Sequence, residues 1–198
     1  MAFSDNIWWT YKARIEAEKR LLSNALQSQI LLLWYSFSGA AVSIYYLNSN
    51  NDTSATGLAG ITWIVYSVLV LCMSGFISGL TFNKRAGLIK ECYETLYSFY
   101  HKSKAKGADV DQLTAEYNQI IRLCENHTDK DYYLALCIIH VTQSGKTDVK
   151  TGLKEGLDRR PTWYHWCSVV IWTVKHYMML FVLYSLPISL FVVLESFT

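Results

Sequence analysis

The polar segment Glu125-Asn-His-Thr-Asp-Lys-Asp-Tyr132 is dense in side chains that donate and accept hydrogen bonds. It lies between two stretches with helical periodicity, so its chemistry can serve the ends of those helices. Thr128 or Asp129 would cap the following helix, and Asp131 would be favourable near its positive end. The physical interpretation that we prefer is a structured turn. The candidate residues of this segment are Glu125, Asn126, His127, Asp131 and Tyr132.

Other residue types that could do chemistry do not form a recognisable site. Ser144-Gly-Lys-Thr147 is similar to the end of a phosphate-binding loop, but the full pattern needs a glycine where His140 stands. His127 and His140 lack partners at ligand spacing, and the five cysteines contain no CxxC pair. We therefore expect no catalytic residue, no metal site and no cofactor, and we predict that the protein is not an enzyme.

The elements that position these groups are predicted to be helices, several of them in a membrane. Only 17% of the 198 residues are charged, against about 25% in a soluble domain. The net charge of +2 gives no reason to expect direct nucleic-acid binding. Ser28–Leu47 is free of charge, and its helix would be about 30 Å long, enough to cross the hydrocarbon core. Leu58–Leu80 is a second such run, and the short polar loop Asn48–Gly57 makes the two spans an antiparallel hairpin.

Lysine and arginine determine the expected orientation of this hairpin. The loop between the spans has no basic residue, whereas both flanks have several. We therefore expect both ends of the hairpin, including the N-terminus, in the cytoplasm and the loop outside. The flanking basic residues are Lys12, Arg14, Lys19, Arg20, Lys84, Arg85 and Lys90.

A third apolar run, Tyr177–Leu194, lies near the C-terminus and is just long enough to span. Pro187 lies inside it and should kink it. The tryptophans before it, Trp163, Trp166 and Trp172, indicate a helix along the lipid headgroups. We expect a third crossing, and the alternative is a re-entrant or surface-lying segment.

Between the hairpin and this run the sequence predicts amphipathic cytoplasmic helices, because apolar residues recur at spacings of three and four. They could fold back on each other or pair across subunits, although the stripes are too short to specify a long coiled coil. A further helix is predicted over Asp131–Val141. The first stripe is Ala86, Ile89, Tyr93, Leu96 and Tyr100, and the second is Val110, Leu113, Tyr117, Ile120 and Cys124.

The fold class is therefore all-α, and four segments are predicted. Residues 1–27 form a cytoplasmic or interfacial amphipathic helix, and residues 28–80 form the two-span hairpin. Residues 81–160 form the cytoplasmic helical region, and residues 161–198 form the interfacial helix with the third span.

Small residues in the spans are candidates for helix packing, because close approach must replace the missing hydrophobic drive in lipid. Gly75 and Gly79 form a GxxxG pattern, Ser74 and Ser78 lie beside it, and Gly39 with Ser43 offers a pair on the first span. Packing within one hairpin and packing between subunits remain equally open. The central spans contain hydroxyls but no ionisable residue, which argues against a pump and is compatible with a non-selective pore.

The order of these features resembles the SLATT proteins, which are bacterial two-transmembrane effectors of nucleotide-signalling and other conflict systems. The resemblance is carried by the basic helix Tyr11–Leu21, the two spans, the amphipathic region and, most specifically, Glu125–Tyr132. The C-terminal apolar run resembles that of the family branch whose genes are found beside reverse transcriptases. The resemblance implies an effector that breaches the inner membrane when infection is sensed and halts growth of the infected cell.

Two functions follow as hypotheses. The first is a homo-oligomeric pore-forming effector in antiviral defence by abortive infection. The second is a non-conducting membrane anchor that assembles a cytoplasmic partner enzyme. The expected partners are the lipid bilayer, further copies of the chain, and a reverse transcriptase or nucleotide-signalling protein encoded nearby.

Overall fold

A computed structural model describes residues 3–49, 56–104, 110–148, 152–154 and 157–196, and among these residues it has six helices and no regular strand. Thr147 and Lys154 form an isolated β-bridge. The predicted all-α class is confirmed. The helices are α1 (Phe3–Ser49), α2 (Thr56–Gly79), α3 (Phe82–Ser103), α4 (Val110–Arg122), α5 (Asp129–Thr142) and α6 (Trp163–Ser196).

The ends of the helices follow local sequence rules. α2 and α3 are separated at Thr81, which adopts a positive φ of 47°, a conformation that interrupts helical hydrogen bonding. α1 continues from the basic arm into the first predicted span, because no glycine or proline occurs between Phe3 and Ser38. α6 likewise joins the tryptophan-rich segment to the C-terminal run, with Pro187 inside the helix.

The chain forms two compact units. The first, here called the core unit, contains Met1–Ser23 and Phe82–Val174, and the second, here called the span unit, contains Asn24–Thr81 and Lys175–Thr198. The structure thus groups the basic N-terminal arm with the helices that follow the hairpin. It groups the C-terminal run with the hairpin.

The core unit is held by the predicted stripes, which pack inside a single chain. α3 contacts α4, and the first part of α1 contributes buried side chains to the same core. The arm over residues 1–27, predicted to be a cytoplasmic or interfacial helix, therefore buries one face against helices of its own unit up to Leu21. One cluster is Ile7, Cys92, Leu96, Phe99 and Leu113, with Tyr100, Tyr117, Ile120 and Cys124 against it; the other is Ala17, Leu21, Ala86 and Ile89, with Tyr93 and Cys124 against it. The side chain of Val110 lies outside the described residues.

The span unit buries very little. Among its described residues, only the side chains of Ala25, Tyr66 and Pro187 are buried. Two helical stretches, Gly60–Ser103 and Trp163–Val193, are long and apolar enough to cross a membrane, and only 6% of each apolar window is buried. The core helix of a soluble protein would bury most of that surface, so the exposed apolar windows within these stretches are suited to lipid. The first predicted span, in α1, is helical but is not among them, since serines and tyrosines interrupt its apolar residues.

Candidate functional site

The Glu125–Tyr132 segment forms the start of α5 in the core unit. Thr128, one of the two residues that the sequence predicted as the cap, is the N-cap residue. The carboxylate of Asp131 accepts hydrogen bonds from the Thr128 backbone N–H (2.9 Å) and from the Thr128 hydroxyl (2.7 Å). These bonds satisfy donors at the helix end that would otherwise lack partners.

Asp131 is also half of a buried ion pair. Its side chain is 1% exposed, and both of its oxygens face the guanidinium of Arg20 in α1. Arg20 Nε lies 2.8 Å from Oδ1 and Nη2 lies 3.1 Å from Oδ2. Two parallel bonds of this kind fix the position of both groups, so Asp131 fastens α5 to α1.

Two further residues of the segment hold arginines from other parts of the core unit. Glu125 accepts bonds from the guanidinium of Arg85 in α3, with Nε at 2.8 Å. The Tyr132 hydroxyl accepts a bond of 2.8 Å from Arg159, which precedes α6. The segment therefore connects α1, α3 and the chain before α6 through one arginine each. These contacts, which Glu125, Asp131 and Tyr132 make with Arg85, Arg20 and Arg159, are here called the joint.

Asn126 is exposed and His127 is half-buried in the same turn. Asn126 Oδ1 accepts the backbone N–H of His127 at 3.0 Å, and His127 Nδ1 is buried without a hydrogen-bond partner. Burial and then the charge of Arg14 hold the pKa of His127 below its usual value, although Asp131 opposes this effect. His127 is thus a neutral imidazole near neutral pH.

Arg14 is a buried cation that has no carboxylate partner among the described residues. Its side chain is fully buried, and it donates to Cys92 Sγ and to the Ile121 carbonyl oxygen (3.1 Å). These partners are not carboxylates, and Arg14 Nε has no partner among the described residues. Burial raises the pKa of the Cys92 thiol to about 12 despite the adjacent guanidinium, so the sulfur does not supply a negative charge.

A second link joins the start of α1 to the segment before α6. The indole N–H of Trp9 donates to Asp158 at 2.6 Å, and the Arg159 guanidinium lies over the Trp9 ring at 5.4 Å. Burial alone would raise the pKa of Asp158, but the bond from Trp9 and the pairing with Arg159 hold it below its usual range. This carboxylate therefore stays charged in its structural role.

No local pattern in the sequence identifies the partners of this joint. Arg20 and Trp9 lie more than a hundred residues before the groups that they bind, and the basic residues of α1 predict only the orientation of the hairpin. The burial of Arg14 does have a signal in the sequence. Ile7, Arg14 and Leu21 follow one another at intervals of seven residues and therefore lie on one helix face. Ile7 and Leu21 are buried, and a charge between them on that face indicates a buried cation.

The small residues of the span unit differ in how they are used. A Cβ built on Gly39 would lie 3.1 Å from the Tyr66 ring, so this glycine allows α2 to approach α1. Gly75 and Gly79 have nothing within 4 Å of such an atom. Ser74 and Ser78 are exposed beside them, and the Ser43 hydroxyl donates to the Gly39 carbonyl of its own helix (2.8 Å). Within the described residues, the GxxxG face is not used to close the hairpin.

A cavity of about 480 Å³ opens between α1 and α2 within the span unit. Serine hydroxyls and aromatic side chains line it, so its wall is weakly polar and carries no ionisable acid or base of the Asp, Glu, His, Lys or Arg type. Its lining residues are Tyr35, Ser36, Gly39, Ala40, Ser43, Trp63, Tyr66, Ser67, Val70, Leu71 and Ser74.

The helices, the lipid-requiring stretches and the joint define a helical membrane protein with a compact core unit of helices. The model of one family, described as SMODS and SLOG-associating 2TM effector domain family 5, matches residues 2–193. The chain belongs to this SLATT family, whose members are described as two-transmembrane effectors associated with the conflict-system proteins in that name. The match extends beyond Glu125–Tyr132 and includes nearly all of α6. No curated protein and no solved structure gives a match to the chain.

Proposed function

We propose that the protein is an oligomeric effector that permeabilises the bacterial inner membrane on a cytoplasmic signal. The resulting growth arrest or cell death would serve antiphage defence by abortive infection. The N-terminus lies in the cytoplasm in this proposal, and the protein acts without catalysis.

The open face around Gly75 and Gly79 is the observation that carries this proposal. Small residues on a lipid-exposed helix permit close helix contact, and no helix of the same chain fills this place among the described residues. Ser74 and Ser78 extend this small-residue face of α2. A second copy of α2 would gain close backbone contacts there, whereas lipid chains gain little from the missing side chains.

The weakly polar cavity beside this face supports the conducting part of the proposal. Hydroxyls of Ser36, Ser43, Ser67 and Ser74 line this cavity between α1 and α2. A wall of this kind can become wet when neighbouring helices move apart, without selecting among ions. The proposal therefore predicts a leak of low selectivity.

The core unit is proposed to receive the signal. Its joint brings α1, α3 and α5 together through charged bonds, and such a network can be shifted by a partner that competes for one of its groups. The partner would be a reverse transcriptase or a nucleotide-signalling protein encoded nearby. Membership in the reverse-transcriptase-associated branch is part of this proposal.

The test compares two leucine substitutions in one helix. Gly79→Leu fills the open face, and Gly60→Leu is the matched control, since Gly60 also has nothing within 4 Å but lies outside the GxxxG pattern. Cells expressing the chain with its genomic neighbours would be triggered while a dye reports membrane potential. We expect depolarisation in wild type and Gly60→Leu, and loss of depolarisation and of crosslinked oligomers in Gly79→Leu. Toxicity with an unchanged potential would contradict pore formation.

A membrane anchor for a partner enzyme is the second candidate function. It is favoured by large apolar side chains exposed on the core unit outside the apolar stretches, including Leu123 (68%) and Val141 (64%). Such side chains are typical of a protein-binding surface. Stoichiometric capture of a partner, together with reconstituted vesicles that stay tight, would favour this function over a pore.

A further inference from the structure

Pro187 removes one backbone hydrogen bond from α6. Proline has no backbone N–H, so the carbonyl four residues before it, that of Leu183, loses its usual partner in the helix. The bilayer core contains no water that could replace the missing donor, and an unpaired carbonyl there is costly. A donor from another helix is therefore expected at Leu183.

Tyr35 of α1 supplies that donor. Its hydroxyl donates to the Leu183 carbonyl oxygen at 2.9 Å, and the indole N–H of Trp34 donates to the next carbonyl, that of Tyr184, at 3.0 Å. Two adjacent residues of the first span thus bind two adjacent carbonyls at the proline.

Tyr35 is itself held by the second span. The Tyr66 hydroxyl donates to the Tyr35 carbonyl oxygen at 3.0 Å, and the two rings are stacked with centroids 6.1 Å apart. Gly39 leaves the space that the Tyr66 ring occupies. Tyr66 and Pro187 are two of the three buried side chains described in the span unit. The little packing that this unit has is concentrated around Tyr35.

Successive contacts show the relative direction of the two helices. Tyr35 contacts Leu183, whereas Tyr45, further along α1, contacts Phe191 (ring centroids 5.5 Å apart) and Glu195 (3.1 Å). Residue numbers rise together in α1 and α6, so the helices run parallel. Parallel helices that span a bilayer emerge on the same side.

We infer that Tyr35 is a positioning residue that docks α6 on the first span at the carbonyl freed by Pro187. The C-terminal run then crosses the bilayer fully, as a third span beyond the two in the family's description. Its end, near Ser196, lies on the same side as the loop between α1 and α2. This inference does not depend on pore formation or on which side of the membrane is cytoplasmic.

The first test is a double-mutant cycle on docking. A short bismaleimide would crosslink cysteines placed at Tyr45 and Phe191 in a background in which the five native cysteines are serine. We expect Tyr35→Phe to lower the docked-to-undocked ratio by about three- to thirtyfold, the range for an interhelical hydrogen bond in membranes. Pro187→Ala restores the N–H to Leu183, so adding Tyr35→Phe in that background should change crosslinking much less. An equal loss in both backgrounds, or no loss in either, would overturn the assignment.

The second test addresses the crossing and does not need a docking variant. Single cysteines replace Ser196, Asn51 in the loop, or Ser103 at the end of α3, and spheroplasts receive a membrane-impermeant maleimide before and after permeabilisation. We expect the cysteine at position 196 to label like that at position 51 and opposite to that at position 103. Labelling of position 196 together with position 103 would exclude the third span, whether or not the protein forms a pore.

Discussion

The core unit and the span unit are stabilised in opposite ways. The core unit buries apolar stripes from α1, α3 and α4 and ties them with arginines bound to Asp131, Glu125 and Tyr132. The span unit buries three described side chains and exposes most of its apolar surface. The first therefore buries its apolar stripes within one chain, whereas the second leaves most of its apolar surface, including the face around Gly75 and Gly79, to its surroundings. Mutations in the two units should consequently affect stability in different ways.

The largest effect is expected from Asp131→Ala in the core unit. The substitution leaves Arg20 without its carboxylate and removes the cap bonds at Thr128. Breaking a buried ion pair costs about 3–5 kcal/mol, and the 26% exposure of Arg20 lowers this to about 2–3 kcal/mol. Hydrogen exchange of α5 in the purified full-length protein should accelerate accordingly.

Asp129→Ala is the control for this prediction. Asp129 lies in the first turn of the same helix but is exposed and does not hold Arg20, so only its interaction with the helix end is lost, about 0.5 kcal/mol. Similar exchange rates in the two variants would mean that the Arg20 pair contributes nothing beyond capping.

A smaller effect is expected from Gly39→Ala in the span unit. The new methyl would meet the Tyr66 ring at 3.1 Å, and Tyr66 cannot move freely because it is stacked on Tyr35 and bonded to its carbonyl. Overpacking of this kind costs about 1–2 kcal/mol. Gly75→Ala adds the same methyl in open space and should leave thermal unfolding in detergent unchanged. Equal shifts in the two variants would mean that the α1–α2 contact does not depend on this fit.

The outcome at particular residues shows what the sequence could predict. Periodicity predicted the stripe at Ala86, Ile89 and Leu96, and local chemistry predicted the cap at Thr128, because both signals lie within a few residues. The partner of Asp131 is 111 residues away in α1, and no local pattern relates the two. Local sequence alone therefore indicates only a helix-end interaction for Asp131, worth about 1 kcal/mol.

The same limit applies to the third span. Length and composition of Tyr177–Leu194 left a crossing and a re-entrant segment open. Pro187 predicted only a kink, and no local pattern relates it to Tyr35, which lies about 150 residues earlier in the chain and donates to the Leu183 carbonyl oxygen. The contacts over several turns of α1 are what favour a full crossing.

A pH effect is expected in the core unit at His127. Its pKa is lowered from about 6.5 by burial and by Arg14, against the opposing charges of Asp131 and Asp129. The unfolded chain therefore binds more protons below about pH 6.5, and stability falls as the pH decreases from 7.5 to 5.5. His127→Gln should reduce this slope of melting temperature against pH. An unchanged slope would assign the acid sensitivity to other groups.

The smallest effect is expected at the most deeply buried charge. Arg14 is fully buried, yet its partners are a thiol and a carbonyl, so no strong ion pair offsets the removal of its guanidinium from water. Arg14→Met keeps most of the side-chain volume and removes that penalty, at the loss of the bond to Ile121. We expect the free energy of unfolding to change by less than about 1 kcal/mol, in contrast to Asp131→Ala. A loss comparable to that of Asp131→Ala would show that Arg14 is compensated after all, and that the core unit depends on its charges more evenly than its contacts indicate.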